Sequence, residues 1–243
     1  MTVTEVDAPT LHVLGGPHVE AGGRCVPVPE GSKRLVAFVA LNDRRVERCR
    51  AASVLWPNAD RHRAAGNLRS AIWRLRGAGL DILAADNSWI RLRPELRTDL
   101  EGLAQWASRV MSGNAEPADI ALRPALAPAL DMLPGWYDDW VLLERERLRQ
   151  PLLQAVETLA HLLVRERRCG EAIDAALVAV SVEPLRESAQ RALIVAHLAE
   201  GNRCEALRSY GTYEEILERE LGICPSIELR RLVTDARTDA EFV

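Results

Sequence analysis

Between Asp60 and Leu80 the apolar residues Ala64, Leu68, Ile72 and Leu75 recur at i, i+4, i+8 and i+11, the stripe of a core-facing helix. The opposite face carries Arg63, Gly66, Ser70, Trp73 and Arg74, with Asn67 and Arg69 on its flanks, and holds no acidic residue. Alternation from Ile82 to Arg93 predicts a hairpin directly afterwards. Upstream, short alternating runs at 11–14, 18–21 and 24–28 are separated by Gly15-Gly16 and Gly22-Gly23 and predict three strands. An apolar helix over 33–41 is expected to take Ser32 as its N-cap. A brief strand at 45–48 and a short helix at 50–55 follow, with Asn58 or Asp60 as the cap of the next helix. Three strands, three helices and a hairpin compose an α/β winged helix with an N-terminal sheet.

The remainder is patterned as helix. A helix over 99–111 is predicted with Asp99 as cap and Leu100, Leu103, Trp106 and Val110 as its stripe, then a loop and short helix over 112–128. From about Trp140 onward the period is helical throughout. A repeat of 34 residues links Glu171-Ala172 with Glu205-Ala206, Ile173 with Leu207, and Ala176 with Tyr210. That is the period of tetratricopeptide-like pairs of antiparallel helices. Pro184 and Pro225 are each expected to open a helix, and the small residues at 172, 175, 176 and 179 allow close helix approach. The fold class is therefore two-domain: a winged helix-turn-helix over 1–97 and an all-α tetratricopeptide-like domain over 98–243.

Charge sharpens the division. Residues 1–97 hold 15 Arg and Lys against 10 Asp and Glu, net +5, whereas residues 98–243 hold 16 against 25, net −9. Only the first half is then expected to approach nucleic acid. The major groove of a duplex admits one helix, where arginine forks onto guanine and asparagine onto adenine. Arg63, Asn67, Ser70 and Arg74 are the candidate base readers. Arg69 and Arg76 flank them as phosphate contacts. Lys33, Arg34, Arg48 and Arg50 sit near predicted helix starts, where backbone N–H groups also favour phosphate. Asn87, Ser88, Arg91 and Arg93 belong to the hairpin, the wing of this fold. Trp73 is expected to pack on the wing or to reach a base.

The segments GPHVEAGGRCVPVPEGSKRLVAFVAL and VLWPNADRHRAAGNLRSAIWRLR resemble the OmpR/PhoB-type DNA-binding domain of the Streptomyces antibiotic regulatory protein family. The chain departs from that pattern at the wing tip, where Asp86-Asn87-Ser88-Trp89 replaces a Gly-Tyr. From LPGWYDDWVLLERERLRQ through PLRE, EALR-x-Y and ELG-x-x-P-S-x-EL, the second half resembles the bacterial transcriptional activator domain. The joint resemblance implies a transcriptional activator of a secondary-metabolite cluster that binds direct repeats in double-stranded DNA as a homodimer and contacts RNA polymerase holoenzyme. Asp138, Asp139, Glu214 and Glu215, with Glu218 and Glu220, are candidates for the polymerase contact or are solvated helix faces. Two other readings stand beside this one: a protein-interaction module, or a ligand-responsive regulator, with a winged helix that does not bind DNA.

Other chemistry finds little footing. The five histidines are scattered, and no G-x-S-x-G, Walker A or H-E-x-x-H occurs, so no enzyme is expected. No cofactor or metal motif is present, and Cys25, Cys49, Cys169, Cys204 and Cys224 are expected as buried free thiols. No leader-like or membrane-spanning run is visible, which predicts a cytoplasmic protein without a membrane partner. Trp136, Tyr137 and Trp140 are expected as packing residues.

Overall fold

The computed structural model describes residues 8–123 and 126–238. The N-terminal stretch read above for a leader lies largely outside them. The chain divides into two compact units, Met1–Leu103 with Asp131–Arg147, and Ala104–Leu130 with Leu148–Val243.

The first unit opens with β1 (Thr10–His12), β2 (His18–Ala21) and β3 (Arg24–Pro27), an antiparallel run. Gly22 and Gly23 both have positive φ, 56° and 70°, between the paired Ala21 and Arg24. That is the two-residue hairpin loop only glycine-like residues close without strain. A fourth strand, β7 (Arg97–Thr98), joins parallel to β1 and completes the sheet.

Helix α1 (Glu30–Leu41) starts one turn earlier than the pattern indicated, with Pro29 at its N-cap position. Ser32 is therefore not a cap. It is fully buried, and its Oγ donates to the Ala71 carbonyl at 2.8 Å. β4 (Arg45–Glu47), α2 (Arg48–Leu55) and α3 (Arg61–Gly77) follow, then β5 (Leu83–Ala85) and β6 (Trp89–Leu92). The second sheet has the order β4-β6-β5. α3 begins as expected: Asp60 Oδ1 accepts from Arg63 N at 2.9 Å, satisfying one of the orphan donors of the first turn. Its stripe Ala64, Leu68, Ile72 and Leu75 is buried, with Ala71 beside it.

Helix α4 (Asp99–Met111) is capped by Thr98 rather than by Asp99. Thr98 Oγ1 accepts from Glu101 N, and Glu101 Oε2 accepts from Thr98 N, both at 3.1 Å. This reciprocal pair is a capping box. The Asp99 carboxylate instead accepts from Val13 N and Leu14 N at the end of β1. The segment 131–147 adds to this unit. Leu133 N donates to Leu14 O, Arg145 donates to the carbonyls of Met132 and Leu133, and Trp140 stands edge-on to Phe38 at 5.1 Å. Tyr137 is 78% exposed, which corrects its reading as a packing residue.

The second unit holds a 3-10 turn (Pro117–Asp119), α5 (Leu126–Leu130) and the larger part of α6 (Asp139–Arg165), then α7 (Cys169–Val182), α8 (Glu187–Glu200), α9 (Arg203–Leu221) and α10 (Ile227–Thr238). Ala172, Ala175, Ala176 and Ala179 are fully buried on α7, as the small-residue pattern required. The period of 34 holds from the start of α7 to the start of α9. The second helices begin 40 apart, at Glu187 and Ile227, because α9 runs for 19 residues where α7 has 14. Pro184 and Pro225 lie in the turns ahead of α8 and α10 rather than in their first turns. Ile194, Tyr210, Tyr213, Leu217, Leu229 and Val233 form one core cluster. Burial, with the nearby Glu187 carboxylate, pushes the Tyr213 hydroxyl up to about 12.

Candidate nucleic-acid interface

α2, α3 and the wing formed by β5 and β6 enclose a groove of about 700 Å³. Its walls carry Arg48, Arg50, Arg61 and Arg69, with Asn87 from the wing tip and, among the described residues, no acidic side chain. Apolar residues of the two helices, Ala52, Ala64 and Leu68 among them, form the floor. Four guanidiniums around an open, acid-free cleft raise the local positive potential and favour a polyanion.

The wing tip is held by one carboxylate. Asp86 Oδ1 accepts from Ser88 N and Trp89 N at 2.8 Å, and its Oδ2 pairs with Arg91 at 2.7 Å. The two backbone donors, then Arg91, hold the Asp86 carboxyl below its ordinary range. Arg48 ties the tip to α2 twice, through its N to Ser88 O at 2.8 Å and through Nη1 to Asp86 O at 3.2 Å. The Asp86 side chain thus closes the turn at the tip, where none of residues 86–89 takes a positive φ. Trp89 lies under the Arg45 guanidinium, 3.7 Å from ring centroid to Cζ, and Asn87 and Ser88 are left exposed at the end.

The residues singled out from sequence fall into three groups. Arg63, Arg69, Ser70 and Arg76 are exposed on α3, and Asn67 is half-buried beside them. Arg74 is exposed but laid against α1, close enough that a Cβ built on Gly31 would sit 2.7 Å from its Nη1. The remaining cations mostly have carboxylate partners. Lys33 pairs with Glu30 at 2.6 Å, Arg93 with Asp81 at 2.6 Å and Arg91 with Asp86. Arg34 pairs with Asp138, and burial draws its guanidinium below its ordinary value. Asp138 therefore meets a cation of its own unit. Asp139 and Glu215 are exposed, and Glu214 accepts from Tyr210 at 3.0 Å.

Trp73 is 73% exposed on α3, so it does not pack on the wing. The cysteines are free, but Cys25, Cys49, Cys204 and Cys224 are exposed, against the expectation of burial. Cys49 borders the groove, yet its Sγ donates to Glu47 at 2.8 Å, and that carboxylate pushes the thiol up, away from the reactive thiolate. Arg44 escaped the sequence reading altogether. Its guanidinium donates to Glu101 and to the carbonyls of Arg93 and Leu96. Among the described residues no group of His, Cys, Asp or Glu is arranged to hold a metal, and no helix is long and apolar enough to cross a membrane.

A winged helix followed by stacked helix pairs is the architecture of two-part transcription regulators of the Streptomyces antibiotic regulatory protein type. The model of the bacterial transcriptional activator domain matches residues 93–236, more than half of the chain, and the chain belongs to that family. It is a family of transcription regulators, not an enzyme class. Among solved structures, EmbR of Mycobacterium tuberculosis, determined in complex with a low-affinity phosphopeptide, shares the fold with a TM-score of 0.73 at 21% identity. The match covers 96% of this chain and 65% of EmbR, so the chain spans just under two thirds of that protein. No curated protein sequence matches the chain.

Proposed function

We propose that this regulator is a sequence-specific DNA-binding activator whose DNA-binding domain is residues 1–97 and whose activator domain is residues 98–243. The observation that carries the reading is the acid-free groove between α2, α3 and the wing, with four arginines on its walls. A phosphate backbone lying in that groove is neutralised by Arg48, Arg50, Arg61 and Arg69, while the exposed face of α3 enters the major groove. Arg63, Asn67, Ser70 and Arg74 are the proposed base readers, and Lys33, Arg34, Arg76, Asn87, Ser88, Arg91 and Arg93 support the backbone. Binding as a homodimer to direct repeats, contact with RNA polymerase through the acidic faces, control of a secondary-metabolite cluster and a cytoplasmic location complete the proposal, and these rest on the family resemblance.

The test is binding of the full chain to DNA upstream of its neighbouring genes, at two salt concentrations, beside a variant with Arg50, Arg61 and Arg69 replaced by alanine. Each phosphate contact adds about 0.9 to the slope of log affinity against log salt. Selective binding with a steep slope, flattened by roughly three in the variant, supports the reading. No selective binding by a folded wild-type chain overturns it.

A further inference from the structure

Trp73 stands near the pole of the exposed face of α3. At 100° per residue it lies about 25° from the direction opposite the buried stripe, nearer than Arg63, Asn67, Arg69 or Arg74. It is 73% exposed and has no ring, cation or hydrogen-bond partner among the described residues. The rest of that pole is nearly bare, for Gly66 lies two turns before it and Ser70 one turn before it. Among the described residues nothing requires a glycine at 66. A Cβ there would meet only the Nη2 of Arg69, at an ordinary 3.7 Å. Glycine weakens a helix relative to alanine, and a bare helix surface permits close approach by something outside the chain. The face thus has two features: a stretch where backbone can lie close to a partner, and one large apolar ring rising at its C-terminal end with cations on both flanks.

The edges that base pairs present in the major groove are polar donors and acceptors, with a single apolar group, the 5-methyl of thymine. We infer that Trp73 is a specificity-determining residue that reads a thymine methyl, while the flanking Arg63 and Arg69 take polar edges and phosphate. The inference rests on the DNA-binding function proposed above and deepens it. An indole carries apolar area on a stiff side chain with few torsions, so a methyl docked on it loses water without a large ordering cost.

Replacing thymine by deoxyuridine removes that methyl and nothing else, which gives the test. A preferred duplex is first selected from a random library with the full wild-type chain. Each thymine is then replaced in turn by deoxyuridine, and affinities are compared for wild type, Trp73→Ala and Trp73→Leu. Folding is checked by circular dichroism and melting temperature. The expected result is a loss of about fourfold for wild type at one or two positions, the worth of one buried methyl group. Trp73→Ala is insensitive at those positions while still binding the duplex with its steep salt dependence, and Trp73→Leu keeps part of the sensitivity. Equal response of wild type and Trp73→Ala at every position overturns the inference and leaves DNA binding standing. Trp73→Ala that changes the oligomeric state but not the deoxyuridine response also overturns it, and gives the ring to a protein contact. Failure of the wild-type chain to select any duplex overturns the DNA reading and this inference together.

Discussion

Arg44 Nη1 donates to Glu101 Oε1 at 2.6 Å, joining the turn after α1 to the first turn of α4. The same guanidinium donates through Nη2 to the carbonyls of Arg93, at 2.7 Å, and Leu96, at 2.8 Å. One side chain therefore fixes the exit of the wing, the approach to β7 and the capping box of α4. Arg44 does this from a left-handed backbone, φ 64°, next to Asp43 at φ 51°. Such a conformation is costly for a residue other than glycine and persists only when its surroundings hold it. Replacing Arg44 by alanine is expected to destabilise the chain by about 2 kcal/mol, since charged hydrogen bonds to three acceptors are lost at a partly exposed site. Replacing it by glycine should cost less, because the backbone strain is relieved while the same bonds are lost. Urea unfolding of the two variants separates the terms; equal losses would show that the backbone carries no strain here.

Ser32 and Ala71 make a second link, from α1 to α3. The hydroxyl is fully buried and spends its donor on a helix carbonyl 39 residues away. Ser32→Ala is expected to cost about 1 kcal/mol, the net worth of a neutral hydrogen bond. Ser32→Val should cost more, because its extra methyls enter a packed interface. Midpoints of chemical denaturation at constant slope provide the measure.

The stripe of α3, its Asp60 cap and the strands around Gly22-Gly23 were legible because each rests on near-neighbour spacing. The misreadings share a cause. Ser32 has the chemistry of a cap, but α1 begins at Glu30, so the hydroxyl is carried inward to α3. Asp99 has the chemistry of a cap as well, yet Thr98 and Glu101 fill that role and leave the carboxylate for the backbone of Val13 and Leu14. A capping box Thr-x-x-Glu stood in the sequence and was the available signal. Arg44 and the strand at Arg97–Thr98 left no such mark, because their partners lie dozens of residues away. At the candidate interface the arginine-bearing face of α3 was legible. The partnering of Arg34 by Asp138, and the folding of Arg74 onto α1, depended on which carboxylates and which backbone tertiary packing brought near.

In the second unit, Asp119 is 2% exposed and accepts from Arg109 Nε at 2.7 Å and Nη2 at 2.8 Å and from Arg123 at 2.9 Å. The Arg109 bonds, more than any other influence, hold its carboxyl far below the usual range. A carboxyl depressed in the folded state stabilises above its unfolded value of about 4, and that contribution is lost as pH falls towards the folded value. Thermal stability should therefore decline below about pH 4 in a manner that depends on Asp119. Asp119→Asn is expected to cost about 2 kcal/mol at neutral pH, less than a fully buried pair because both arginines remain about one-third exposed. The variant should also flatten the acid limb of the melting curve. An unchanged acid limb would assign the pH dependence to other carboxylates.

Asp138 lies against Arg34 in a pocket that also borders Arg63 and Asn67 of α3. Its carboxylate occupies the partner position that a phosphate oxygen would need in order to meet Arg34. If Arg34 serves DNA as proposed, the two anions compete for one guanidinium. Asp138→Asn keeps the size of the side chain and removes the charge. It is expected to raise affinity for the selected duplex by roughly threefold at low salt, the effect of one partly exposed charge. It should also steepen the salt slope by up to about one unit as one more phosphate contact forms. The gain must vanish when Arg34 is replaced by alanine, so the double-mutant cycle isolates the pair from general changes in charge. A loss of affinity in Asp138→Asn, suppressed in the same way by Arg34→Ala, would reverse the assignment: the carboxylate would then be aiming Arg34 at the DNA rather than withholding it.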